Sequence, residues 1–258
     1  MISSDFHIHT CYCDGKDSPE NIILQAISLG MKKLGFSGHA HTPFDEDACM
    51  SLENTEKYKR EISRLKREYQ SKIKIFCGVE QDYFSDTDAS SYDFIIGSVH
   101  YVECGGEFLS VDDTPEILSR LIHKCNDDPY EVAAKYFALV SDVVNKTGAN
   151  IIGHFDLLTK FNAGNKFFDE HNQRYKNAAR SALDALLKTG RPFEINTGAI
   201  AKGYKNFPYP SREILEYISA HNGRVILSSD AHKKENLMYE FPKYEALAKS
   251  LGLKVIEL

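Results

Sequence analysis

Ser4-Asp5-Phe6-His7-Ile8-His9, then Ser18-Pro19-Glu20, then Lys33-Leu34-Gly35-Phe36-Ser37: the reading of this opening stretch decides the fold class. The first six residues alternate apolar and polar, the pattern of a short strand. Ser18 supplies a helix N-cap, and Pro19 takes the first helical position, where a missing N–H costs nothing. Ile22, Ile23, Ala26, Ile27 and Leu29 recur at helical spacing until Gly30 stops the helix. Residues 33–37 form a second strand. The unit then repeats. Further strands are expected at 73–79, 93–99, 150–153, 192–195 and 225–228, with a short terminal strand at 254–258. Helices are expected at 52–69, from Thr114-Pro115-Glu116, and at 129–145, 170–188, 211–220 and 244–250. The helix at 129–145 carries Val132, Ala133, Tyr136, Phe137, Val140 and Val144 as its core stripe, and Gly105-Gly106 reads as a turn. Repeated strand-then-helix units imply a parallel sheet, open or closed into a barrel.

The 258 residues contain no internal repeat, low-complexity segment or linker, so one domain over 1–258 is expected. A net charge of −6 argues against a nucleic-acid surface, which shows a basic excess. No apolar run reaches the roughly 18 residues of a membrane span. The first residues, Met-Ile-Ser-Ser-Asp-Phe-His, lack the basic and apolar regions of a signal peptide, and a cytoplasmic location is expected. Six cysteines are too sparse for a disulfide scaffold. Cys11-x-Cys13 has no second pair to complete a zinc site. Cys49, Cys77, Cys104 and Cys125 read as buried or neutral fillers.

The histidines carry the chemistry. His7 and His9 end the first strand, and His39 and His41 follow the second. His100 follows the fourth, His154 the fifth and His232 the seventh. Thus seven of the ten histidines stand where strands end, whereas His123, His171 and His221 fall in or beside helices. In a barrel those strand ends converge on one face. Glu80 after the third strand, Asp230 after the seventh and Asp14 in a turn join them. A lone histidine at a strand end is usually a satisfied polar residue, but imidazoles and carboxylates crowded in one mouth are costly unless cations convert them into ligands. His7-x-His9 lies on a strand, where residues i and i+2 share a face, and Asp230-x-His232 repeats the spacing. The candidate ligands are His7, His9, Asp14, His39, Glu80, His100, His154, Asp230 and His232. At three or four protein ligands per open site they hold about two or three divalent ions, with Glu80 or Asp230 bridging. Nitrogen and oxygen donors without thiolate suit Zn, Mn or Fe. No G-x-S-x-G, Walker-type loop or H-E-x-x-H is present.

At these residues the sequence resembles the polymerase and histidinol phosphatase (PHP) superfamily of metallohydrolases. The segments that carry the resemblance are Asp5-Phe6-His7-Ile8-His9-Thr10, Gly38-His39-Ala40-His41-Thr42-Pro43 and Gly78-Val79-Glu80-Gln81-Asp82-Tyr83. Ile96-Gly97-Ser98-Val99-His100, Gly153-His154-Phe155-Asp156-Leu157, Glu194-Ile195-Asn196-Thr197 and Ser229-Asp230-Ala231-His232 follow in the family's order over nearly the whole chain. Within the superfamily the likeness is to the monofunctional histidinol-phosphate phosphatases. The resemblance implies an α/β fold, a distorted seven-stranded (β/α)7 TIM-like barrel, with a trinuclear metal centre. It implies one ion on His7, His9, Glu80 and Asp230, a second on Glu80, His100 and His154, and a third on Asp14, His39 and His232.

The activity that the resemblance implies is hydrolysis of a small phosphate monoester, L-histidinol phosphate, in histidine biosynthesis. A hydroxide bridging two ions would attack phosphorus, because bound metal would bring the pKa of water toward neutrality. Glu80 and Asp230 are the expected catalytic carboxylates, with Asp230 or a water protonating the leaving alcohol. Where relatives carry Arg-Lys in the segment 197–203, this chain keeps Lys202, and Lys160 and His41 are further candidates for holding phosphate. Tyr83, Phe161 and Tyr204 are candidate walls for the rest of the substrate. The rivals are a PHP-type protein-tyrosine phosphatase, another small-molecule phosphoesterase, and a non-catalytic metal-binding barrel.

Overall fold

The computed structural model describes residues 2–45 and 47–258. Its elements, in chain order, are β1 (Ser4–Asp5), α1 (Pro19–Ser28), β2 (Lys33–Phe36), α2 (Leu52–Glu68), β3 (Lys74–Asp82) and β4 (Phe94–Ser98). Next come a hairpin of β5 (Tyr101–Cys104) and β6 (Glu107–Ser110), then α3 (Pro115–Lys124), α4 (Pro129–Thr147), β7 (Ile151–Ile152) and α5 (Gln173–Leu187). The chain ends with β8 (Phe193–Asn196), α6 (Gly198–Ala201), α7 (Arg212–Ala220), β9 (Arg224–Ser228), α8 (Phe241–Ser250) and β10 (Lys254–Val255). None of the described helices is long and apolar enough to cross a membrane.

Eight parallel strands form one sheet in the order β1-β2-β3-β4-β7-β8-β9-β10. The sheet curls until its two sides meet. Beyond β1 and β9, Ile8 and Ala231 form a parallel bridge, with the amide of His9 donating to Ala231 at 2.9 Å and that of Ala231 donating to His7 at 3.1 Å. The buried carboxylate of Asp5 completes the closure by accepting from both the amide and the hydroxyl of Ser229. Away from this meeting point β10 pairs with the start of β9, at Lys254↔Arg224 and Val255↔Val225.

The helices sit where their local signals put them. Ser18, Ser51, Thr114, Asp128 and Asn172 cap the N-termini of α1 to α5 with their side chains. Several boundaries differ from expectation. β3 runs through Glu80 to Asp82, because its register with β4 continues to Asp82↔Ser98, so Glu80 lies within the strand. The buried stripe of α4 uses Val143 in place of Val144, following the helical drift from Val140. The β5–β6 hairpin and the short α6 were not anticipated, although Gly105-Gly106 does make the hairpin turn.

Two large hydrophobic clusters pack helices against the sheet. A third, of Phe6, Phe94, Ile96, Ile151 and Ile226, matters most for the site. Alternation along a strand puts Ile96 on the face of Ser98, and Ile226 on that of Ser228. This small cluster therefore forms the layer beneath the polar residues. Phe6 meets Phe76 and Phe94 edge-on, both at 5.4 Å between ring centres. Gly78, two residues before Glu80, makes room for the rings: a Cβ there would lie 2.3 Å from Phe94. Gly78→Ala should therefore destabilise the fold by about 1–3 kcal/mol in urea unfolding, as overpacked cores do. An unchanged midpoint would mean that Phe94 swings aside at no cost.

Candidate metal centre

Strands of a parallel sheet present their C-terminal ends on one side. His7 and His9 come just after β1, His39 after β2, His100 after β4, His154 after β7, and Asp230 and His232 after β9. Glu80 rises from within β3, held beside His39 by a parallel bridge. Asp14 comes from a tight turn in which the amides of Cys13 and Gly15 both donate to the Thr10 carbonyl.

Glu80 is the hub. Its Oε2 lies 3.0 Å from His7 Nε2, 3.4 Å from His9 Nε2 and 3.1 Å from His39 Nδ1. Its Oε1 lies 3.0 Å from His154 Nε2 and 3.4 Å from His100 Nε2, and accepts from the Ser98 hydroxyl at 2.6 Å. Asp230 Oδ1 sits 3.3 Å from His9 Nε2 and 3.8 Å from His7 Nε2. Asp14 Oδ2 lies 2.8 Å from His232 Nε2. All nine expected ligands thus converge. Their donor atoms form four overlapping groups: His9, Asp14, His39 and His232; His7, His9 and Asp230; His7, Glu80 and His154; His39, Glu80 and His100. His39 belongs to two of these, whereas the resemblance assigned it one ion.

The chemistry of this donor set fits divalent metal. Glu80 and His9 are 1 % exposed and His7 is fully buried, and polar groups at that depth need partners. Yet His9 Nε2 and Asp14 Oδ1 are buried without any hydrogen bond. Burial, reinforced by His232 and His39, pushes His9 down to about 3, which keeps its imidazole neutral and able to bind a cation. Burial opposes the charge of Glu80, but His7, His39 and His100 outweigh it and hold the carboxyl well below its usual range. Cys13 Sγ is 3.7 Å from His9 Nδ1 but belongs to none of these four groups, and burial pushes its thiol up to about 12.

Behind these groups stands a second layer. Glu194 Oε1 lies 2.7 Å from His7 Nδ1, which holds a proton there and leaves Nε2 to face Glu80. The other oxygen of Glu194 accepts from the His154 amide at 3.0 Å and from Asn196 Nδ2 at 3.1 Å. Asp82 Oδ2 does the same for His100, 3.2 Å from its Nδ1. Such outer carboxylates fix the ring orientation and raise the basicity of a ligand imidazole. Sequence reasoning gave neither residue a role. The signal was present: a glutamate in the apolar run Phe193-Glu194-Ile195 is buried and needs a partner.

The centre forms the floor of a cavity of about 530 Å³. Lys202 and Lys160 both line it, as does Tyr204. Lys202 Nζ lies 4.0 Å from Asp230 Oδ1. Lys160 is tied down, donating to the Asp112 carbonyl at 2.6 Å and lying 3.2 Å from its carboxylate, with its ammonium over the Tyr204 and Phe161 rings. His41 turns toward Asp86, 3.3 Å away, and is not among the described lining residues; nor are Tyr83 and Phe161.

Asp230 adopts a left-handed backbone with φ of +49°, and Gly198 at the start of α6 packs against it. A Cβ on Gly198 would come within 2.7 Å of Asp230 Cβ and 3.0 Å of its Oδ2. Gly198→Ala should therefore displace this ligand. Protein purified without chelator should carry about two to three transition ions per chain, and the variant fewer, with unchanged far-UV circular dichroism. Wild-type metal content and affinity in the variant would show that the contact is slack.

The family model described as PHP domain matches residues 5–198. The histidinol-phosphatase of Bacillus subtilis is 26% identical over 95% of this chain and 98% of its own. A solved structure from Listeria monocytogenes superposes with a TM-score of 0.80 at 20% identity, over 93% of this chain and 99% of that one. The histidinol phosphate phosphatase of Lactococcus lactis, solved with Zn, L-histidinol and phosphate, gives a TM-score of 0.70 at 22% identity over 98% and 95%. The two structures share the fold, and the family match spans most of the sequence, from the first histidine strand to the glycine beside Asp230: this chain belongs to the PHP domain family.

Proposed function

We propose that this protein is a metal-dependent histidinol-phosphatase, hydrolysing L-histidinol phosphate to L-histidinol and phosphate. The observation that carries the reading is the gathering of nine nitrogen and oxygen ligand groups around Glu80 on the floor of a cavity with a lysine at its wall. The relatives from Bacillus subtilis and Lactococcus lactis bear that name and support it. The fold is read as a distorted seven-stranded barrel forming one unit over 1–258, with β10 an added strand beside β9.

His7, His9, Glu80 and Asp230 would hold one ion, Glu80, His100 and His154 a second, and Asp14, His39 and His232 a third, with Zn, Mn or Fe suited to these donors. Bound there, divalent ions supply Lewis acidity and water with a pKa near neutrality. The side chains do the rest. Burial opposes the charge of Asp230, but Lys202 and His7 outweigh it and keep the carboxyl ionised. Ionised, it can help hold a cation and accept a hydrogen bond from the attacking water. Glu194 keeps the proton of His7 on Nδ1, away from the reacting face. Lys202 meets the non-bridging oxygens of the phosphate, where charge concentrates. Lys160 lines the same wall and is the second cation for phosphate, with half its reach spent on Asp112. His41, turned to Asp86, contributes less.

A phosphate-release screen tests the substrate. Histidinol phosphate should exceed a phosphotyrosine peptide and p-nitrophenyl phosphate by at least about tenfold in kcat/KM, roughly 1.4 kcal/mol of barrier. Equal rates, or preference for the peptide, would replace this reading with a broader or protein-directed phosphatase.

Lys202→Ala separates phosphate anchoring from metal binding. Loss of a charge-assisted hydrogen bond is worth about 1.5–3 kcal/mol, so kcat/KM should fall by about ten- to a few hundred-fold for every phosphomonoester. Metal content should remain at the wild-type level. Undiminished turnover would make Lys202 a mere partner of Asp230.

A further inference from the structure

A second cavity, of about 390 Å³, lies behind the wall that carries Lys160 and Tyr204, bounded by α5, α7 and the loops before each. It shares no lining residue with the first. Its inner surface is apolar, from Ala179, Leu183, Phe207 and Ile214, and Tyr175 joins them. The Tyr175 ring is 4 % exposed and is fixed by Phe168, stacked at 5.5 Å, and by Phe137, edge-on at 5.3 Å. Its hydroxyl has no hydrogen-bond partner. Burial and the carboxylates of Asp156, Glu170 and Glu213 hold the proton on that hydroxyl, so it is a donor waiting for an acceptor. A buried donor left unpaired costs stability, and a ligand that supplies an acceptor recovers it.

The charges around the opening sort into paired and unpaired. Glu213 is matched by Lys176 at 3.0 Å and Arg212 by Glu216 at 2.9 Å. Glu170 accepts from Asn162 Nδ2 at 2.9 Å but has no cation partner among the described residues. Lys205 gives its ammonium to the Thr159 hydroxyl at 2.5 Å and lies over the Tyr209 ring; its charge eases the burial of the Asp156 carboxylate from beyond ion-pair range. Arg180 has no ion pair there either. One carboxylate and two cations thus stand without ion-pair partners among the described residues, around an apolar floor with a free donor.

We infer that this cavity is a second small-molecule site, which takes a free α-amino acid. Lys205 and Arg180 meet its carboxylate, Glu170 its ammonium, and the apolar floor its side chain. A dicarboxylate would leave Glu170 opposed, and a neutral apolar molecule would leave all three charges unmatched. The volume lies at the lower end of small-molecule pockets, as suits a ligand this size.

Calorimetric titration of the metal-loaded protein, with inorganic phosphate saturating the first cavity, tests this. The probes are L-leucine, L-phenylalanine and L-histidine, each beside its N-acetyl and carboxamide forms, which delete one charge apiece. At least one amino acid should bind saturably, one per chain, with a Kd of about 1 mM or tighter, and its two charge-deleted forms about tenfold more weakly. Lys205→Met and Glu170→Gln should each weaken the binding by about tenfold and leave phosphatase activity in place. The inference is overturned if none of the three saturates by about 10 mM. It is equally overturned if the charge-deleted forms or both variants bind as tightly as the originals.

Discussion

One carboxylate organises this protein. Glu80 stands near the C-terminal end of the longest strand, almost wholly buried, with five imidazoles within 3.0–3.4 Å of its two oxygens. A carboxylate can serve two cations through its two oxygens, which a neutral imidazole cannot. The rest of the architecture answers to that position. The aromatic layer of Phe6, Phe76 and Phe94 closes the space below it, and the glycine at 78 lets the rings fit. The outer carboxylates of Glu194 and Asp82 turn imidazoles inward toward it. The curl of the sheet brings ligands from both sides of the molecule to it. Bare, this assembly is a costly concentration of buried polar groups; with cations it becomes a ligand shell.

The electrostatics divide the labour among chemically similar residues. His7 and His9 are two positions apart, yet His7 is held between the carboxylates of Glu194 and Glu80, while His9 lies against the rings of His39 and His232. The two lysines at the cavity wall diverge in the same way. Lys160 is bound into a half-buried pair with Asp112, which fixes its place and shares its charge. Lys202 keeps a looser 4.0 Å approach to Asp230 and retains more freedom to meet an incoming anion. Position along the sequence foretold neither difference, because each depends on a partner from a distant part of the chain.

This marks the boundary of what the sequence made legible. Alternation of strands and helices could be read because hydrophobic periodicity, N-caps and glycine stops are local signals. The ligand set could be read because strand ends share one side of a parallel sheet, so position relative to a strand predicts position in space. The roles of Glu194 and Asp82 were hidden, since each is defined by the histidine across the sheet that it touches. The β5–β6 hairpin was hidden for another reason. It lies outside the repeating unit, and strands of four residues carry too few alternations to announce themselves. The second cavity depends on which charges find partners across loops, and no spacing encodes that.

The closure of the sheet has a consequence for how the protein is made. Asp5 bonds to Ser229, 224 positions further along, and His7 and His9 meet Ala231 beside it. A ribosome releases the first histidines well before Asp230 and His232 exist. During that interval the early imidazoles belong to an unfinished cup, without the last carboxylate and without the seam that aligns them. Long-range closures of this kind form late, because the entropy of joining distant segments must be met before their contacts can repay it. Loading of the complete centre is therefore an event of the finished polypeptide, and a nascent chain stalled before the last strands exposes a partial set of metal-seeking histidines.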